Sequence, residues 1–142
     1  MKKMNNRKYK EFLRSGTKTA HISTVNRDNT PHVVPVWFEL DGDDIVLTTG
    51  GDTVKARNLK RNPNICLSVD DPNPPYAYVK IDGKATISED PDEMLKWATR
   101  IGGRYMGAES AEIFGKRNAV PGEILVRITP ERISAYSDIA GR

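Results

Sequence analysis

The chain has 142 residues, with 22 Lys and Arg against 19 Asp and Glu, a net charge of +3 and 37% hydrophobic residues. This mixture is too apolar for a disordered chain, and no apolar run approaches the roughly 20 residues of a membrane-spanning helix. A single cysteine, Cys66, excludes an internal disulfide framework and a cysteine-rich metal site, so the expected setting is the reducing cytoplasm. The length suits one domain, residues 1–142, around one modest core.

The basic start, Met1 to Lys10, has no apolar stretch behind it and is no signal peptide. Residues 1–15 read instead as a basic, helical N-terminal segment, with Phe12 and Leu13 touching the body. Thr19 to Val25 is rich in β-formers and follows Gly16, which predicts a strand. A second strand runs from His32 to Leu40, where Pro35 cannot donate a ladder bond and so marks an edge or a bulge. Asp41-Gly42-Asp43-Asp44 turns the chain into a third strand, Ile45 to Thr49, ended by Gly50-Gly51.

Asp52 or Thr53 can cap a short helix over Val54 to Arg61, stopped by Asn62-Pro63. Ile65, Leu67 and Val69 alternate inward on a fourth strand. Pro72, Pro74 and Pro75 make an extended loop before the longest strand, Tyr76 to Ile87, in which Gly83 marks a bulge or turn. Asp90-Pro91-Asp92-Glu93 is a helix start, and Met94, Trp97, Ala98, Ile101 and Tyr105 repeat at helical spacing behind it. Gly102-Gly103 should weaken or end that helix, and Ala111 to Lys116 forms another turn or two. Two last strands, Glu123 to Thr129 and Arg132 to Tyr136, flank Thr129-Pro130-Glu131. The order predicts a mainly β fold, six or seven antiparallel strands in a closed or split β-barrel with two or three short helices.

Side chains for catalysis are scarce. Only His21 and His32 could act as imidazole bases, both on predicted strands; no Gly-x-Ser-x-Gly elbow, Walker loop or metal-ligand spacing occurs. No catalytic residue and no metal are assigned. A nucleic-acid reader would show a stronger basic excess or a recognisable module, and neither is present. One stretch breaks a local rule: Lys55 and Arg57 sit in the first turn after Gly50-Gly51, where the helix dipole favours acids. Either an anion docks on the exposed N–H groups there, or the helix is merely capped and its cations point to water. Nearby, Trp37 and Phe38 either form a flat pocket for an aromatic ring system or fill the core or a dimer interface.

Taken together, Gly16 to Val25, Pro31 to Trp37, Thr53 to Pro63, Val79 to Ala85, Arg104-Tyr105 and Val126 to Ile133 resemble the split-barrel flavin and deazaflavin oxidoreductases. That superfamily contains pyridoxamine 5'-phosphate oxidase, and the likeness is greatest to its branch that uses the deazaflavin F420. The resemblance implies an FMN-binding-type split barrel and a homodimer with cofactor sites at the subunit interface. Carried over, Pro35, Val36 and Trp37 would line the ring system, and Thr48, Thr49 and Gly50 would follow the ribityl chain. Thr53, Lys55, Arg57 and Asn58 would hold the phosphate, and Tyr76 and Tyr78 would approach from the partner subunit. Lys60, Arg61 and the N-terminal lysines would extend a basic groove for the tail of F420, which favours it over FMN.

The activity implied is hydride transfer between the deazaflavin and an electron-poor conjugated small molecule such as an enone, quinone or tetrapyrrole. The alternatives are an FMN-dependent oxidoreductase and a non-catalytic flavin- or haem-binding protein. In each case the difficult chemistry belongs to the bound group, which accounts for the missing triad.

Overall fold

Asn5 starts the first helix. Its Oδ1 accepts from the Lys8 N–H at 2.9 Å and caps α1 (Asn6–Arg14) in the computed structural model, which describes residues 1–141. Tyr9 and Leu13 bury one side of α1, while Arg7, Lys8 and Arg14 face water. A two-residue strand, β1 (Lys2–Lys3), precedes it.

β2 (Ala20–Val25) and β3 (Pro31–Val36) form a hairpin in which Pro35 stands opposite His21. β3 pairs with β2 alone, so it is an edge strand, where a missing N–H is tolerated. The predicted run to Leu40 breaks after Val36: Trp37 and Phe38 leave the ladder, and β4 (Glu39–Asp41) pairs instead with β5 (Asp44–Gly50). α2 (Val54–Arg61) is capped by Thr53, whose Oγ1 accepts from Ala56 N–H at 3.3 Å. β6 (Asn64–Asp71) and β7 (Ala77–Ser88) follow.

Asp90 caps α3 (Pro91–Met106), with Pro91 at its first position as expected. The helix does not stop at Gly102-Gly103. A Cβ on Gly102 would lie 2.6 Å from Phe114 Cβ, and one on Gly103 would lie 3.1 Å from Ala111 Cβ. The two glycines therefore trade helix propensity for close packing by α4 (Ala111–Asn118), which a 3₁₀ turn (Ala108–Ser110) leads into.

The two last predicted strands are one, β8 (Glu123–Ser137). Pro130 does not break it because it stands opposite Gly83, where the β7–β8 register shifts and the ladder is already interrupted. A side chain at Gly83 would meet the Thr129 backbone, so the bulge needs that glycine.

All pairings are antiparallel, in the order β3-β2-β6-β7-β8-β5-β4, with β1 added on β8. Laid flat, that seven-strand path would hold β3 and β4 about 29 Å apart, at about 4.8 Å per strand. Yet Val36 and Glu39 are three residues apart in the chain, a reach of about 11 Å at most. The sheet must therefore curl until its two edges meet, and Trp37-Phe38 spans the split. Leu13, Ile22, Phe38, Leu47, Leu67, Ile81, Val126 and Ile128 are among the residues that fill the interior. A smaller cluster of Val46, Met94, Trp97 and Leu125 lies on the opposite face of β5 and β8, under α3. Eight strands and four α-helices slightly exceed the expected counts, and the β-rich split-barrel class stands.

Candidate functional site

At the split in the barrel lies a cavity of about 280 Å³. Its flat wall is Pro35, Val36 and Trp37, where the chain leaves one sheet edge for the other. Trp37 is 40% exposed while Phe38 is fully buried, so the adjacent aromatics separate into wall and core rather than both facing a ligand. The Trp37 indole stacks on Tyr105, with ring centroids 4.8 Å apart and planes 5° from parallel. Tyr105 is fixed in turn: its hydroxyl donates to the Lys18 carbonyl (2.6 Å) and accepts from Phe38 N–H (3.4 Å). Beside it Arg104 donates to the carbonyls of Leu13 (2.6 Å), Gly16 (3.1 Å) and Phe38 (2.9 Å). Arg104 thus ties the end of α1 and the barrel split to α3, and Tyr105 braces the indole from behind.

Thr48 and Thr49, on β5, supply the polar floor. Lys55 enters from the first turn of α2, which carries no acid. Ile101, Asn118 and Glu123 close the far side. None of these three was reachable by local reasoning; Glu123 is brought in because β8 pairs with β5 so that it stands opposite Gly50.

The two charges in the cavity are poorly solvated. Burial lowers the pKa of Lys55, with Glu123 opposing the shift. Burial raises the pKa of Glu123, nearby Asp52 raises it further, and Lys55 works against both. Glu123 Oε2 is buried without a hydrogen-bond partner.

Of the twelve residues named from sequence, six line this cavity: Pro35, Val36, Trp37, Thr48, Thr49 and Lys55. Gly50 and Thr53 lie just beyond them; the Thr53 hydroxyl donates to the Gly50 carbonyl at 2.8 Å and is occupied as the helix cap. The Arg57 side chain is exposed and does not line it. Asn58 is buried, and its amide is used inside the protein, donating to Thr24 Oγ1 and Asn26 Oδ1 (both 3.0 Å) and accepting from Arg61 (3.1 Å). Lys60 donates to the Gly51 carbonyl at 3.1 Å and Arg61 to that of Val25 at 2.5 Å, so neither extends freely along a groove. Tyr76 is exposed at the end of the proline loop, and Tyr78 lies against Tyr136 at 5.8 Å between ring centroids; both are outside the cavity.

A larger depression of about 500 Å³ lies between Thr17–Thr19 and the Asp70–Asn73 loop. Its lining includes Lys18 and His21 but no Trp, Tyr or Phe, and the adjacent carboxylates of Asp70 and Asp71 make it less suited to an anionic ring compound.

The arrangement is a plane, a hydroxyl-lined floor and one cation, with no nucleophile–base pair. It is suited to holding a flat, phosphorylated group rather than to performing acid–base chemistry unaided. Known proteins resemble the chain as a whole. The chain is 28% identical over 126 residues to the F420H(2)-dependent biliverdin reductase of Mycobacterium tuberculosis, covering 87% of this chain and 82% of that protein. A solved structure described as an F420 reductase is 29% identical, with a TM-score of 0.69 over 87% of this chain and 94% of its own. The crystal structure of the conserved hypothetical protein Rv2991 from Mycobacterium tuberculosis, 24% identical, shares the fold with a TM-score of 0.84, covering 95% of this chain and 86% of that one. The family model described as pyridoxamine 5'-phosphate oxidase matches residues 6–137, which spans every element from α1 to β8, and the chain belongs to that family.

Proposed function

We propose that the protein is an oxidoreductase that binds a deazaflavin of the F420 type at the barrel split and passes a hydride to an electron-poor conjugated small molecule. The observation that carries this reading is the braced Trp37–Tyr105 plane in one cavity with Thr48, Thr49 and Lys55. When bound, the deazaflavin supplies the hydride chemistry. The protein's part is to bind and orient: Trp37 and the Pro35–Val36 backbone present a flat surface, Thr48 and Thr49 face the chain, and Lys55 meets the phosphate. The relatives named F420H(2)-dependent biliverdin reductase and F420 reductase support the choice of cofactor, and biliverdin, in the name of the first, belongs to the substrate class proposed.

A second copy of the chain completes the site in this reading. Ligand pockets of drug-sized molecules usually run from about 300 Å³ upward, and the single-chain cavity is about 280 Å³. Trp37, which lines it, and Val33 and Val54, one or two residues from the lining Pro35 and Lys55, are large, apolar and exposed, the composition of a surface that a partner covers. Tyr76 and Tyr78 would then act from the partner side.

FMN is the second reading, and one observation favours it: with Lys60 and Arg61 bound to backbone carbonyls, Lys55 is, among the described residues, the one cation lining the cavity, enough for a single phosphate. Side-by-side titration with FMN and F420, followed by turnover of reduced F420 against biliverdin, an enone and a quinone, tests the proposal. Tight F420 binding with turnover is expected. FMN binding alone would transfer the site to the second reading, and binding without turnover of any acceptor would leave a carrier rather than an enzyme.

A further inference from the structure

We propose that Glu123 is the positioning residue for the cofactor's polyol chain, its buried oxygen accepting a hydrogen bond from a chain hydroxyl. This rests on the flavin-type reading of the cavity and goes beyond it by assigning a residue that neither local sequence nor the resemblance picks out.

Glu123 Oε2 is, among the described residues, the one buried side-chain oxygen or nitrogen with no hydrogen-bond partner. Such an atom forfeits its hydration and recovers it only when a donor arrives. Its place identifies the donor. Glu123 begins β8 directly opposite Gly50, and a Cβ built on Gly50 would stand 3.7 Å from Oε2. The same Cβ would stand 3.3 Å from Asp52 Oδ1, so a second acid borders this spot. On the cavity side Glu123 shares the lining with Trp37, Thr48, Thr49 and Lys55. A phosphate there would be repelled by Glu123 and by Asp52, the second acid of this region, whereas an uncharged hydroxyl donates to a carboxylate without penalty. The segment joining a flavin-type ring to its phosphate is a hydroxylated chain, which is the group this position fits.

Three probes separate the parts of the ligand: FMN, riboflavin, which lacks the phosphate, and lumiflavin, which lacks the whole chain, each with its 5-deaza counterpart. Affinities are read from quenching of ligand and tryptophan fluorescence. Glu123→Met, apolar and of similar length, should weaken riboflavin and FMN about tenfold, as expected for one charge-assisted hydrogen bond, and leave lumiflavin unchanged. Glu123→Gln, whose amide oxygen still accepts, should recover most of the loss. Lys55→Ala should weaken FMN and spare riboflavin. Equal losses for riboflavin and lumiflavin, or no loss in Glu123→Met while the wild type binds, would overturn the assignment alone. Failure of the wild type to bind any probe of either ring would overturn the flavin-type reading itself, and the role of Glu123 with it.

Discussion

Truncating Arg104 should cost far more than an ordinary surface substitution, although the residue sits in the last turn of α3, beside the exposed Met106. Its side chain is 9% exposed and lies between α3, the end of α1 and the barrel split. Arg104→Ala removes donors from three carbonyls at once and strips the guanidinium from the Phe38 ring, 4.8 Å beneath it. Hydrogen bonds from charged donors contribute roughly 1.5–3 kcal/mol each, but water can reach the carbonyl of exposed Gly16, whereas Leu13 and Phe38 are fully buried. Counting the Leu13 and Phe38 bonds near full value and the Gly16 bond at about half gives a loss of about 4–7 kcal/mol. With a urea slope of about 1.5–2 kcal/mol/M, the unfolding midpoint should fall by at least about 2 M. Arg104→Lys keeps the charge but not the fork, and one ammonium cannot serve three diverging acceptors, so it should recover only about 1 kcal/mol. Equilibrium urea unfolding followed by far-ultraviolet circular dichroism measures both variants. A loss under about 1 kcal/mol for Arg104→Ala, or a wild-type midpoint for Arg104→Lys, would show that the clamp does not hold the split.

Three further outcomes are expected. Lys55→Ala should weaken FMN binding about tenfold while Arg57→Ala changes it less than about twofold, because only Lys55 lines the cavity; calorimetric titration of the two variants compares them. Glu123→Gln should raise the melting temperature at pH 7, because a carboxyl whose folded-state pKa exceeds its unfolded value stabilises the fold only while protonated, and that stability is lost as pH rises through the folded pKa. The gain should vanish below about pH 4. Thermal melts across that range, with Asp52, Lys55, Lys60 and Glu89 left intact around the site, read the difference. Gly115→Ala should destabilise by about 1–3 kcal/mol, against the usual gain from removing a helical glycine. The added Cβ would sit 3.0 Å from both Cα and Cβ of Thr99, and differential scanning calorimetry should show the drop partly restored by Thr99→Ala.

Features written in a few adjacent residues were legible in the sequence. The Thr53 cap, Pro91 at the start of α3, the Gly83 bulge and the edge character of the Pro35 strand all follow from a missing donor, a missing Cβ or a hydroxyl near free N–H groups. What escaped depends on residues far apart in the chain. β8 survives Pro130 only because Gly83 faces it, and α3 runs through Gly102-Gly103 only because α4 packs there. Asn58 looks like a phosphate ligand in a helix start, yet Thr24 and Asn26, more than thirty residues earlier, have already claimed its amide. Glu123 had no local signal of a site, since it reads only as the first residue of a strand after Pro121-Gly122. Only the β5–β8 register turns it into a wall of the cavity.

The sheet order also dictates when the molecule can work during its own synthesis. β8 is the strand that joins β7 to β5, so until residues 123–137 leave the ribosome the nascent chain holds two separate pieces, β3-β2-β6-β7 and β5-β4. Each piece then presents a bare edge, β7 on one and β5 on the other, and those edges are the natural sites of mispairing with neighbouring chains. Closure comes with β8, and Glu123 arrives at its leading end, so the cavity at the split and the shielding of both edges are completed in the same event.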